Sequence, residues 1–296
     1  MADPVNSATA CAADGARRPT RQPVDSLDSY ARLQLWQMAA LAIGLVVLAA
    51  LESWFPRHPR RPTRARVLHF ARNAGLWLVT SAAMSLVFGS TLMYAAYWLE
   101  VHRIGVLNFI ATPLWLRVVA GFVALDLADY VFHRMSHEIR WLWLLHAVHH
   151  SDADVDVSTN LRAHPLHIVA TSLSKLVVLA AIGIPLWVWL LRELVTMPIT
   201  QLQHAAVRLP RRLEALLGLA IVTPAMHQLH HAPSAALNNT NFGGMLPWWD
   251  RLFRTYTPPL EAAPTGFGLD ALRGRQWQTV WGMCATPFAA RGIDPL

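Results

Sequence analysis

Charge is scarce in this chain. Only 15% of its 296 residues are Asp, Glu, Lys or Arg, while 54% are hydrophobic. Soluble domains carry about 25% charged residues, so the composition points to a membrane protein with one membrane core. Lysine is almost missing: Lys175 is the only one, and arginine supplies nearly all the positive charge behind the formal net charge of +7. A basic chain suits an anionic lipid surface. No basic stripe interleaved with aromatics is present, so nucleic acid is not an expected partner. The two cysteines, Cys11 and Cys284, are far apart and belong to no CxxC pair. No disulfide framework follows, and any metal site must be built without thiolates. There is no GxGxxG nucleotide fingerprint and no CxxCH for haem attachment. The HExxH of zinc proteases fails as well, because Trp141 stands where its second histidine is needed after His137 and Glu138.

What the chain does have is long apolar runs. Residues 35–51 and 74–99 are uncharged and long enough to cross hydrocarbon. A third run, 114–132, contains Arg117, Asp126 and Asp129, and charges at such depth usually face protein or water. A fourth, 166–204, is too long for one helix. Gly183 and Pro185 divide it into a predicted hairpin, 166–183 and 186–204, fully or partly spanning. Six arginines (57, 60, 61, 64, 66 and 72) crowd in or just after the first connection, which the positive-inside rule makes cytoplasmic. The loop near 100–113 is then external, and the later histidines are cytoplasmic. This scheme puts the N-terminal segment outside, although it carries arginines of its own. The expected fold is all-α: an integral membrane helical bundle with a cytoplasmic histidine-rich cap. Residues 1–33 read as a disordered polar tail, 34–113 as N-terminal transmembrane segments and 257–296 as a C-terminal tail.

The histidines follow a pattern. His133 and His137 are four apart. His146, His149 and His150 stand at i, i+3, i+4, and His227, His230 and His231 repeat that spacing. On a helix each set lies on one face. His204, at the end of the hairpin, is a ninth candidate. A tetrahedral zinc site takes three or four ligands, so eight or nine exceed the needs of one ion and suffice for two six-coordinate ions. Imidazole suits iron, copper and zinc alike. Asp126 and Asp129 continue the His133–His137 stripe upstream, where a carboxylate can accept the outer N–H of a ligand imidazole and fix its tautomer; pairing with Arg117 or Arg134 is the other reading. Isolated histidines such as His58, His69 and His102 carry no such signal.

The ordered boxes HRMSH, HAVHH and HQLHH resemble those of the fatty acid hydroxylase/sterol desaturase superfamily, and the resemblance covers about 115–256. TNLRAHPL (159–166) resembles that family's Arg-x-His-Pro element, and QLQHAAVRLP (201–210) its segment with an isolated histidine. TNFGG (240–244) is similar to its Asn-Tyr-Gly, with Phe242 in place of tyrosine. WWDRLFRTY (248–256) is similar to its Trp-Asp-x-x-Phe-Gly-Thr-Tyr, with Arg254 in place of glycine. The resemblance implies a hydroxylase/desaturase domain over 114–256, with two iron ions held by His133, His137, His146, His149, His150, His204, His227, His230 and His231. It places Asn160, Arg162 and His164 beside the site, His164 either behind the ligands or facing substrate. It further implies O2-dependent hydroxylation or desaturation of a lipid C–H bond, hydroxylation being favoured. A membrane metal- or haem-binding protein without enzymatic activity is the alternative. No reductase or cytochrome domain is apparent in the chain, so a separate electron donor (ferredoxin, cytochrome or reductase) is implied. The expected location is the inner membrane, with the site facing the cytoplasm.

Overall fold

The computed structural model describes residues 23–59, 62–259, 264, 266–290 and 292–293. Among these residues the fold is all-α, with no strand and one isolated bridge, between Pro56 and Val207. Helix α1 (Pro23–Trp54) carries the first apolar run and begins inside the segment expected to be a tail; residues 1–22 lie outside the described residues. Asp28–Trp54 of α1 is long and apolar enough to cross a membrane. The second expected span is broken. Helix α2 (Thr63–Ala83) passes through a π-helical turn, Met84–Gly89, into α3 (Ser90–Val101), and the two halves bend by 52°. A Gly-Ser pair and a π-bulge are both known causes of such kinks, and Gly89 and Ser90 stand at this one.

Helix α4 (Leu114–Glu138) carries the third run and the first histidine box without interruption. After a single non-helical residue, Ile139, α5 (Arg140–His150) turns back across it. The predicted hairpin forms as α6 (Pro165–Ile182) and α7 (Leu186–His204), divided at the expected place: Gly183 takes a left-handed φ of +82° and Pro185 starts the second arm. Helix α6 is apolar enough to span. By length and composition two described helices can cross a membrane, or three if the bent pair counts as one. Large apolar side chains remain exposed on these helices, among them Trp36, Ile43, Val46, Leu86 and Val177. Such a surface requires a lipid or protein partner and marks the chain as an integral membrane protein.

The bundle has two distinct ends. At one, Glu100 accepts hydrogen bonds from Tyr30 (3.0 Å) and from the backbone of Leu186 at the hairpin tip (3.1 Å). The loop after α3 packs so closely there that a Cβ on Gly105 would lie 2.0 Å from the Gly183 nitrogen. At the other end, buried Glu52 closes α1 by accepting from Val157 (2.7 Å) and Ala206 (2.8 Å). All the histidine boxes gather at this second end, with the short helices α8 (Arg211–Leu217) and α9 (Pro224–His230). The start of α1 therefore lies at the opposite end from the histidines.

The segment expected as a C-terminal tail is structured where it is described. Leu269 and Leu272 pack on Trp143 and Ala147 of α5, and Met283, in a final helix Val280–Ala289, packs on Leu76 and Val148.

Candidate metal centre

Four elements deliver nine imidazoles to one place. Helix α4 brings His133 and His137 on its last turns, and α5 brings His146, His149 and His150. Helix α7 ends on His204. Helix α9, started by Thr223 as N-cap and Pro224 at its first position, brings His227 and His230, with His231 just past its end. The rings form two groups: His133, His137, His146, His150 and His230; and His149, His204, His227 and His231. Within each group one nitrogen per ring lies within 4.8 Å of every other, an arrangement able to hold a metal ion. The boxes are shared between the groups. In HAVHH the outer pair His146 and His150 joins the first and His149 the second. In HQLHH His227 and His231 join the second and His230 the first.

Hydrogen bonding tests whether these residues fit metal ions. A backbone carbonyl can only accept, so a ring nitrogen that faces one must carry the proton. The Nδ1 atoms of His133, His149, His204 and His230 face the carbonyls of Phe242 (2.9 Å), Arg162 (3.1 Å), Thr200 (2.7 Å) and Thr240 (2.9 Å). Burial, reinforced by neighbouring imidazoles, pushes His149 and His230 well below the ordinary histidine range, so these rings are neutral. Their Nε2 atoms are then bare lone pairs. Nevertheless His149 Nε2 and His204 Nε2 face each other at 3.1 Å, and His227 Nε2 lies 3.0 Å from His204 Nε2 and 3.2 Å from His231 Nε2. In the first group His146 Nε2 lies 3.1 Å from both His133 Nε2 and His150 Nε2. His149 and His204, both with the proton on Nδ1, thus set two lone pairs face to face, which repel unless a cation lies between them. Adjacent ligands of a six-coordinate ion at about 2.1 Å stand about 3 Å apart, which matches these spacings. Among the described residues, neither nitrogen of buried His137 has a hydrogen-bond partner. The donor set fits metal, and it is wholly neutral nitrogen.

The surroundings hold the rings through backbone carbonyls rather than carboxylates. The carbonyls of Thr240 and Phe242 sit on a loop that Asp250 fastens by accepting from the backbone of Phe242 and Gly243 (both 2.8 Å) and from Thr255 Oγ1 (2.7 Å). That accounts for the WWDRLF stretch. The Phe242 ring packs edge-on against His133, His137 and His230. Arg254, standing where the resembled motif has glycine, takes a left-handed φ of 61°, a conformation that glycine adopts freely.

The expected supporting residues lie as follows. Arg162 is fully buried and bonds to Val148 O (2.8 Å), Asn73 (3.2 Å), Ser151 (2.7 Å) and Gln278 (3.0 Å); its own carbonyl receives His149. Asn160 lines the cavity described below. His164 does not face the rings: its Nδ1 caps α6 at Leu166 (3.2 Å) and its Nε2 meets Cys284 O (3.1 Å). The aspartates have other partners than those read from the sequence. The outer nitrogen of His133 goes to Phe242, not to Asp129. Asp126 accepts from the backbone of Met245 (3.1 Å) and Leu246 (3.2 Å), from Trp249 (2.8 Å) and from Arg192 (3.1 Å). Asp129 pairs with Lys175 (3.3 Å) and Arg192. Neither uses Arg117 or Arg134 of its own helix; Lys175 and Arg192 come instead from the hairpin, which the local sequence could not bring near.

Two histidines carried no signal in the sequence reading yet lie close by. His167 stacks on His146 at 4.7 Å and faces Ser136 (3.3 Å); its spacing of three from His164, at the start of an apolar helix, was the available hint. His69 sits between Asp152 (2.8 Å) and Asp156 (3.1 Å). Burial alone would raise the Asp152 carboxyl, but His69 and Arg162 outweigh it and hold Asp152 well below the usual range.

A cavity of about 590 Å³ adjoins the rings. Histidines 133, 146, 149, 204 and 227 form one part of its wall, and Leu41, Trp77, Met84, Phe132 and Met197 another.

Residues 118–255 match the family of fatty acid hydroxylases. The ornithine lipid hydroxylase OlsE of Rhizobium tropici is 32% identical over 180 residues, 61% of this chain and 53% of that protein. The alkylglycerol monooxygenase of Homo sapiens is 29% identical over 230 residues, 76% of this chain and 48% of that protein. That of Danio rerio is 28% identical over 170 residues, 56% and 35% respectively. The chain spans about half the length of the first two relatives. No solved structure matches it. These matches support the fatty acid hydroxylase superfamily for the stretch that carries the histidine boxes.

Proposed function

We propose that this chain is a membrane di-iron oxygenase that hydroxylates a C–H bond of a lipid, using O2 and electrons from a separate protein. The observation that carries the reading is the gathering of nine imidazoles in two adjacent groups of five and four, with Nε2 atoms 3.0–3.2 Å apart and the bare lone pairs of His149 and His204 face to face, beside a largely apolar cavity. All nine histidines read from the sequence are assigned as ligands, one ion to each group. Iron bound there would supply the oxidising power for an aliphatic C–H bond, which offers neither an acidic proton nor a polar handle to a side chain.

The protein's own residues do the positioning. The carbonyls of Phe242, Arg162, Thr200 and Thr240 hold four Nδ1 protons and so aim the opposite lone pairs inward. Phe132, Trp77 and Met84 present an apolar wall that accepts an alkyl chain and excludes water. The arginine-bearing connection at the histidine end supports a cytoplasmic site in the inner membrane. Desaturation would use the same ligands; the names of the relatives, a hydroxylase and a monooxygenase, favour hydroxylation.

The test is metal content and Mössbauer spectroscopy on protein loaded with labelled iron, followed by lipid profiling under labelled O2. Two coupled irons per chain, lost in His149→Ala and in His230→Ala, with label recovered in a hydroxylated lipid, is the expected result. An unlabelled alkene would make the chain a desaturase. One zinc ion, or haem, in an intact chain would overturn the reading.

A further inference from the structure

The wall of the same cavity carries a second polar site, built from charge in a chain that has little. Lys175, the only lysine, lies on the apolar helix α6 and reaches Glu193 of α7 (2.8 Å) and Asp129 of α4 (3.3 Å). Arg192 pairs with Asp126 (3.1 Å), Asp129 and Glu193 (3.1 Å). Charges at this depth are expensive, and by default mark a functional site. A lock between helices would need only balanced pairs. Here three carboxylates meet two cations. Asp126 is fully buried, while the Asp129 and Glu193 side chains, 17% and 30% exposed, are more open than those of Lys175 and Arg192, at 10% and 2%. Asp129 and Glu193 both line the cavity, as do parts of Lys175 and Arg192, whose charged ends are taken up by the carboxylates. The protein donors Lys175, Trp189 and Arg192 all converge on Glu193 Oε1. Oε2 accepts from none of the described residues.

We infer that this cluster binds the polar head of the lipid substrate, and that the head carries hydrogen-bond donors, hydroxyl or ammonium, close to the oxidised carbon. Both Asp129 oxygens are taken by Lys175 and Arg192, so the free acceptor facing the apolar space is Glu193 Oε2. It favours O–H and N–H groups, repels a free fatty acid, and has nothing to bond in a hydrocarbon. Distance supports the same assignment. Asp129 precedes His133 by four helical residues, about 6 Å of rise, so a head at Asp129 and Glu193 leaves only a short stretch of substrate beside the rings.

The inference rests on the oxygenase reading for the word substrate, but its test does not. Full-length, iron-loaded protein in nanodiscs is titrated with four lipids of equal chain length: a 1-O-alkylglycerol, an alkylamine, a fatty acid and an alkane. Oxidation of each is followed separately. Wild-type protein should bind the alkylglycerol or the alkylamine at least tenfold tighter than the other two, and which of the two wins tells a neutral head from a cationic one. Glu193→Gln keeps the side chain's shape and should retain its iron. It should weaken the preferred lipid roughly tenfold, the scale of one hydrogen bond to a charged group, and raise KM while sparing kcat. Equal binding of the alkane or the fatty acid by wild-type protein overturns the inference whatever the variant does, and leaves the oxygenase reading standing if any lipid is oxidised. Selective binding, lost in Glu193→Gln but without oxidation of any lipid, keeps the head site and removes the oxygenase reading.

Discussion

At the scale of single residues, this centre depends on neutral imidazoles. His146, His149, His150, His227, His230 and His231 are all pushed well below 6.5 by burial and by each other. Their folded values lie below the unfolded one, so above pH 6.5 neither state holds the proton and stability is flat. Below pH 6.5 the unfolded chain binds protons that the folded chain refuses, and stability falls as pH drops, by up to about 1.4 kcal/mol per pH unit for each such ring. Metal retention should therefore hold from pH 8 to 7 and drop steeply between about 6.5 and 5, a profile that dialysis with metal analysis would record. Arg254 makes a second prediction at this scale. Arg254→Gly relieves a left-handed conformation and should stabilise the protein by about 1 kcal/mol, readable as a higher thermal midpoint with unchanged metal content. Asp250→Ala should act oppositely. It strips partners from two buried N–H groups on the loop that holds His133 and His230, which costs roughly 3 kcal/mol and loosens metal in the first group before the second.

At the scale of elements, the apolar periodicities and the punctuation by Gly183 and Pro185 were enough to locate α1, α4 and the α6–α7 hairpin. The boxes were legible because an i, i+3, i+4 spacing commits its side chains to one helical face. Their division between two groups was not, since it depends on how α4, α5, α7 and α9 cross. The same holds for Asp126 and Asp129: local spacing puts them next to His133, but Arg192 and Lys175 arrive from helices more than forty residues on. The break after α2 was hidden because 74–99 is uniformly apolar and a π-turn leaves no mark in hydropathy. The last forty residues gave no periodic signal, yet Gln278 reaches Arg162 and Met283 closes a cluster with Leu76 and Val148. Deleting residues 275–296 should therefore unseat Arg162 and with it the carbonyl behind His149, so that purified membranes lose metal although every histidine remains. Gly105→Ala tests the other end. Its Cβ would meet the Gly183 backbone at 2.0 Å with φ at +109°. A loss of about 2 kcal/mol or more is expected, seen as a lower thermal midpoint.

At the scale of the whole molecule, the bundle separates an apolar middle from a basic, histidine-bearing end. Arg57, Arg64, Arg66, Arg208, Arg211 and Arg212 lie in or beside the connections there, and His58 links that face to Gln228, next to His227 (3.0 Å). If electrons arrive from an acidic carrier, turnover should fall as ionic strength rises, because steering between opposite charges is screened; a flat response to salt would point to a neutral or basic donor.

The position of Lys175 has a consequence for covalent chemistry. Its ε-amine is the only one in the chain and is enclosed in the cavity wall, bonded to Glu193. An acylating reagent must enter the space that a lipid would occupy in order to modify it. Modification at this one side chain, read by mass spectrometry, thus reports access of the reagent to the cavity, and any molecule that fills the cavity should register as protection.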